Sequence, residues 1–192
     1  MKAWLGYCVD VFIRPRAAMR RLLADPRRVT YGFLSLLALT IIYVLAISVL
    51  VWKGLPPAEK PLLDIPPEKY YLYELFFLLP VAIGETVLQA GVTRLIARPW
   101  GGRGCFEDLF ALFGLNHIVL AIVMGLPDLA IYIFAPGIRG GFDPHVLVGT
   151  LWCFILTIVS VKEAERLPWG RSIVVAVVGS LASGILAFTY IR

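Results

Sequence analysis

Glu85 is the residue in this chain that intramembrane chemistry would most readily use. It interrupts a long apolar stretch, and a charged carboxylate at the centre of a bilayer costs at least ~2.5 kcal/mol. Gln89 and Thr93 follow it at four-residue steps, which on a helix aligns the three as one polar stripe. Asn116 and His117 interrupt a second apolar stretch. If the two stretches are antiparallel helices, Glu85, Asn116 and His117 fall at a similar level, ~15 Å from the membrane surface at ~1.5 Å per residue. A carboxylate and an imidazole so placed can shift each other's protonation, relay a proton or hold a solute. The same residues can equally serve to tie two helices together, with Glu85 neutral or bonded to His117 or Asn116.

Enzyme chemistry has weaker support. Phe113 and His117 fit the F-x-x-x-H pattern of intramembrane CAAX-type proteases, but the second apolar stretch lacks the paired glutamates those enzymes need. His145 stands at the edge of a stretch with no Asn or Asp four residues on. Leu181-Ala-Ser-Gly184 lacks the leading glycine of a rhomboid nucleophile motif, and no later histidine is present to act as base. Cys8, Cys105 and Cys153 are far apart and have no nearby histidine, so they form neither a zinc site nor a redox pair. No catalytic residue, metal or cofactor is expected. Asp128, beside Pro127, falls near the outer end of its stretch, and Glu107 and Asp108 open the same stretch, where carboxylates suit a helix N-terminus. All of these read as structural.

The elements that position these residues are membrane spans. Hydrophobic residues make up 59% of the chain and charged residues 16%, with a mean hydropathy of +0.82, against ~25% charged in a typical soluble domain. The fold class is all-α, a polytopic membrane bundle of five spanning helices over about 31–52, 70–97, 106–134, 146–161 and 173–191. The first has no charge from Tyr31 to Trp52, long enough at ~1.5 Å per residue to cross a hydrocarbon core of ~30 Å. Pro80 and Gly84 are expected to interrupt the second. Proline- and glycine-rich stretches over Lys53–Lys69, Trp100–Gly104 and Pro136–Pro144, and a charged turn over Lys162–Arg171, join the spans. On the last span Ala176, Ser180, Ser183, Gly184 and Ala187 form a small-residue face suited to close packing, either within the chain or against a second copy.

Residues 1–30 form a basic amphipathic segment. Lys2, Gly6, Asp10 and Arg14 make a polar stripe opposite Trp4, Leu5, Cys8, Val9, Val11 and Phe12, and Pro15 opens a second helix with Ala18, Met19, Leu22 and Leu23 on one face. Such helices can lie in the membrane plane, with Arg16, Arg20, Arg21, Arg27 and Arg28 as candidate contacts to lipid headgroups. Their apolar faces can alternatively pack on the protein itself. The net charge of +5 is gathered at the ends of apolar blocks, which indicates topology and lipid contact; nucleic acid is not an expected partner. Thirteen of the eighteen lysines and arginines fall on the N-terminal side of the predicted topology. The N-terminus is thus expected in the cytoplasm and the C-terminus on the opposite side. No cleavable signal is expected, because the stretch Trp4–Ile13 is short, carries Asp10 and runs into arginines.

Three stretches together resemble the Yip domain family, small five-span membrane proteins first known as partners of Ypt/Rab GTPases. The first is the basic, proline-bracketed Arg14-Pro-Arg-Ala-Ala-Met-Arg-Arg-Leu-Leu-Ala-Asp-Pro26. The second is Gly101-Gly-Arg-Gly-Cys-Phe106 leading to Phe110, Phe113 and Gly114, and the third is the closing helical hairpin. The resemblance implies the five-span fold, a cytoplasmic N-terminus and a non-enzymatic membrane role. The short loops and compact N-terminal segment point to a bacterial cytoplasmic (inner) membrane. The expected function is that of a membrane scaffold or a partner- or lipid-binding subunit, with membrane lipids and a protein partner or second copy as its contacts. The alternative is a small transporter or lipid or solute carrier, proton-linked, that uses the Glu85/Gln89/His117 region.

Overall fold

Long uncharged runs must satisfy their backbone polar groups away from water, and the described residues do so as helices joined by short turns. In the computed structural model, which describes residues 2–57, 65–135 and 144–191, the order is α1 (Lys2–Ile13), α2 (Pro15–Ala24), α3 (Arg28–Trp52), α4 (Pro67–Ala97), α5 (Phe106–Leu120), α6 (Leu126–Phe134), α7 (Pro144–Glu165) and α8 (Trp169–Ile191). A short 3₁₀ turn over Arg98–Trp100 ends α4, and a π-turn over Ala121–Gly125 joins α5 to α6. Four helical stretches are long and apolar enough to cross a membrane: α3, α4 with its 3₁₀ turn, α5–α6 as one unit, and α7. The fifth, α8, is apolar over Trp169–Ile185.

The expected break at Pro80 and Gly84 does not occur, and α4 runs unbroken from Pro67 to Ala97. Proline removes one N–H and crowds one carbonyl, a loss that a helix in a bundle can absorb. The third span handles its proline differently. Pro127 follows the π-turn, whose wider spacing accommodates the ring near the start of α6. The last two spans extend beyond the expected bounds, from Pro144 to Glu165 and from Trp169 to Ile191. The connection over 58–64, the glycine-rich turn over 136–143 and the Ala187 side chain lie outside the described residues.

The core is centred on α5, whose residues Leu109, Leu112, Phe113, Leu115 and Val119 are all buried. Its largest interface is with α3, and two glycines make that interface possible. A Cβ on Gly32 would lie 2.7 Å from the Ala111 backbone, and one on Gly114 would lie 2.7 Å from Gly32 O. Backbone-to-backbone approach of this kind is what small residues permit between helices in lipid. The α8 face packs inside the chain, against α4: Ala176 and Gly179 are buried, and a Cβ on Gly179 would collide with Thr93 Oγ1. Large apolar side chains cover the outside, among them Phe76 at 79% exposure, Leu95 at 73% and Leu181 at 63%. That pattern fits a hydrocarbon surround and not water.

The two N-terminal helices do not lie free on a surface. In α2, Ala18, Met19 and Leu22 are fully buried in the protein's own core. In α1, Tyr7, Cys8 and Val11 are buried, and Trp4 Nε1 donates to Ser35 Oγ of α3 at 3.0 Å. An apolar groove of about 480 Å³ separates α1 from Ile118 and Ile122 of the third span. Those isoleucines lie ~18–24 Å along the axis from Phe106 at ~1.5 Å per residue. The outward residues of α1, Leu5, Val9 and Ile13, are also apolar and exposed. This helix therefore flanks the bundle, apolar on both its inner and outer sides.

Candidate functional site

The intramembrane polar residues divide between two helix interfaces. Gln89 and Thr93 face α8: Gln89 Nε2 donates to Ser180 Oγ at 3.3 Å, and Thr93 Oγ1 is buried against Gly179. Asn116 faces α7, where its Nδ2 donates to Ser160 Oγ at 3.2 Å. His117 turns back on its own helix, with Nδ1–H donating to Phe113 O at 2.8 Å. Glu85 is half-buried in α4. The expected Glu85–His117 pair is thus absent among the described contacts, as is any bond from Glu85 to Asn116. Depth in the membrane puts Glu85 near the level of Asn116 and His117, but the rotation of each helix about its axis sends the polar residues to different neighbours.

The structure gathers charge instead at the end of the bundle that holds the N-terminal helices. Glu165, the last residue of α7, is completely buried. Its Oε2 accepts from Arg94 Nη1 at 2.9 Å and from the Gly104 N–H at 3.0 Å, and its backbone carbonyl accepts from the Arg103 N–H at 3.1 Å. Arg94 also donates to Gly102 O at 3.2 Å. The glycines are required by space: a Cβ on Gly102 would strike the Glu165 carboxylate, and one on Gly104 would lie 2.9 Å from Ala164 O. Beside this turn Cys105 caps α5 together with Asp108, and Asp108 Oδ1 pairs with Arg28 Nε at 2.7 Å. Sequence reasoning placed Glu165 in a loop. Its signal was the second of two carboxylates in a charged turn, at the level of a glycine-rich turn and an arginine on another helix.

The candidate headgroup arginines occupy this same end, held by acids. Glu163 Oε1 accepts from Arg16 Nε at 2.8 Å and Glu163 Oε2 from Arg20 Nε at 2.6 Å; the carboxylate is 8% exposed while the arginine side chains are 49% and 62% exposed. Arg21 pairs with Asp10 of α1. The Arg27 side chain is exposed, while its backbone N–H donates to Asp25 Oδ1 at 2.8 Å. Tyr7 donates to Asp25 Oδ2 at 3.0 Å, and burial, followed by that bond, pushes its phenol above the ordinary value. Arg28, of the five, is the one drawn inward. Paired arginines with exposed guanidinium groups contribute little to stability but keep positive charge at the surface.

At the opposite end a second cluster joins three helices. His145 Nε2–H donates to Asp128 Oδ1 at 2.8 Å, Tyr43 OH donates to Asp128 Oδ2 at 3.4 Å, and Lys53 Nζ caps α6 through Tyr132 O and Ile133 O at 2.8 and 2.7 Å. Asp128 and His145 are therefore bonded to each other, a link that their separation in sequence concealed.

No curated protein and no solved structure matches the chain. The profile of the Yip1 domain matches residues 9–191, nearly the whole sequence. With its all-helical bundle, its apolar spans and the glycine turn locked onto the closing hairpin, this integral membrane protein belongs to the Yip1 domain family.

Proposed function

We propose that the protein is a non-enzymatic membrane scaffold that holds anionic lipid and a protein partner on its basic, N-terminal end, with that end in the cytoplasm. One observation carries the reading. Arg16, Arg20 and Arg21 keep exposed guanidinium groups on a rigid platform, because Glu163 and Asp10 fix them while the apolar side of α2 is buried in the bundle. Charge held at a surface in this way favours contact with anionic headgroups and acidic partners, since each cation near an anionic leaflet contributes ~1 kcal/mol. The lysine and arginine distribution supports the orientation, and a bacterial inner membrane remains the setting we propose.

The test is to extract the protein in its native lipid and weigh the intact particle. A second protein at fixed stoichiometry is the expected result. A lone chain that carries a bound solute would overturn the scaffold reading in favour of a carrier. That second reading rests on Glu85, a half-buried carboxyl group within the apolar run of α4. Under the scaffold reading, Glu85→Gln changes no solute flux.

A further inference from the structure

A concavity of about 540 Å³ opens at the N-terminal end of the bundle between α2 and the C-terminus of α7. Four cations and one carboxylate line it: Arg16, Arg20, Lys162 and Arg166 around Glu163. The apolar edges of Leu23 and Ala24 complete the rim. Glu163 engages the Nε of each arginine, and Arg20 Nη2 also donates to its Oε1 at 3.4 Å; a guanidinium has five N–H donors, so both retain donors for a further anion. With one carboxylate against four cations the cavity keeps an excess of positive charge.

Two further features show that this is a shaped site and not a stretch of basic surface. Arg166 has a φ of 57°, the left-handed conformation in which a helix usually ends on glycine. Its N–H donates to Lys162 O at 3.1 Å. A side chain is present where none is favoured, and it lines the cavity. Trp169, 45% exposed, lies beside the cavity, with Arg16 and Lys162 at 5.6 and 5.8 Å from its ring. Tryptophan partitions to the level of lipid headgroups, which sets the depth of the four cations.

We propose that this cavity binds a single phosphate-bearing headgroup of an anionic membrane lipid, with Arg16, Arg20, Lys162 and Arg166 as its donors. The proposal deepens the scaffold reading and rests on its basic end facing lipid. Glu163 keeps Arg16 and Arg20 side by side, which organises the donors for an anion. Basic pockets beside helix ends at a membrane surface have the chemistry to hold such headgroups. The apolar rim of Leu23 and Ala24 suits the glycerol end of a lipid better than free phosphate.

The test titrates phosphatidic acid into the full chain in neutral-detergent micelles and counts bound lipids by native mass spectrometry. Inorganic phosphate is the second probe. The variants are Arg166→Gly, which relieves the backbone, Arg20→Gln, and Arg98→Gln as an exposed control of equal charge outside the cavity. The expected result is one tightly held lipid, weakened about fivefold by Arg166→Gly and by Arg20→Gln, unmoved by Arg98→Gln, and not displaced by millimolar inorganic phosphate. An unchanged or raised melting temperature for Arg166→Gly excludes misfolding as the cause. Equal weakening by all three variants overturns the pocket while leaving a diffuse basic face. Failure of any form to retain phosphatidic acid overturns the pocket and lipid contact together. Displacement by inorganic phosphate, with the same dependence on Arg166 and Arg20, assigns the cavity to free phosphate and overturns the lipid assignment.

Discussion

Glu165 has no exposed surface, yet it carries a carboxylate. What makes this tolerable is the Arg94 guanidinium and the Gly104 N–H, which share its Oε2. Removing one partner of such a pair leaves an uncompensated buried charge, a loss of ~3–5 kcal/mol. Arg94→Met is therefore expected to lower the melting temperature sharply, and Glu165→Leu to do the same while also freeing the glycine turn. Arg94→Met combined with Glu165→Leu should recover part of the loss, because a pair of apolar side chains leaves no buried charge behind. Thermal melts of the four forms in one detergent check this, and an additive double variant would show that the two residues act separately. A second expectation concerns Cys8. Burial pushes its thiol from 9.0 up to about 11. At pH 7 it is a neutral thiol, and raising the pH converts it to the reactive thiolate only as pH approaches that value. Maleimide should label Cys8 slowly at pH 7 in the folded protein and rapidly once the chain is unfolded; fast labelling of the folded form would contradict its burial.

At the scale of helices, the decisive contact is the crossing of α3 and α5, where Gly32 and Gly114 bring two backbones together. Adding a methyl group at Gly114 places it 2.7 Å from a backbone oxygen, and backbone cannot rotate aside as a side chain can. Gly114→Ala is expected to destabilise by ~1–3 kcal/mol through overpacking, whereas Gly91→Ala, with open space around it, should be neutral or slightly stabilising. Paired melts of these two variants separate close packing from helix propensity. This crossing also marks how far the sequence could be read. The spans were legible because an apolar run from Tyr31 to Trp52 has no soluble alternative. The meaning of Gly32 was not, because a glycine in a helix acquires its role only from the helix that crosses it. No Glu85–His117 bond forms among the described residues for a related reason: hydropathy fixes depth but leaves rotation about the axis open. Packing sends Gln89 to Ser180, Asn116 to Ser160 and His117 to Phe113 O. Buried Glu165 went unread because it closes a contact between a turn and a helix distant in sequence.

Across the whole molecule, charge and apolarity separate along the bundle axis. One end carries α1, α2, the glycine turn and the α7–α8 connection, with Arg16, Arg20, Arg103, Lys162 and Arg166 among its cations. The sides present Phe76, Leu95 and Leu181 to the surroundings. The far end holds the Tyr43–Asp128–His145 cluster, in which two hydrogen bonds converge on the Asp128 carboxylate. Retention of positive charge on the cytoplasmic side is a rule of insertion and not of folding, so this asymmetry predicts topology independently of any partner. Arg103 and Lys69 are both exposed, and they sit at opposite ends of α4 and its following turn. In a background freed of its native cysteines, Lys69→Cys should react with a membrane-impermeant maleimide in intact cells. Arg103→Cys should react only after the membrane is opened. Labelling of both in intact cells would indicate mixed orientation, and the reverse pattern would place the basic end outside. In that case the arginine platform would face the wrong leaflet for a cytoplasmic partner, and the scaffold reading would fail with it.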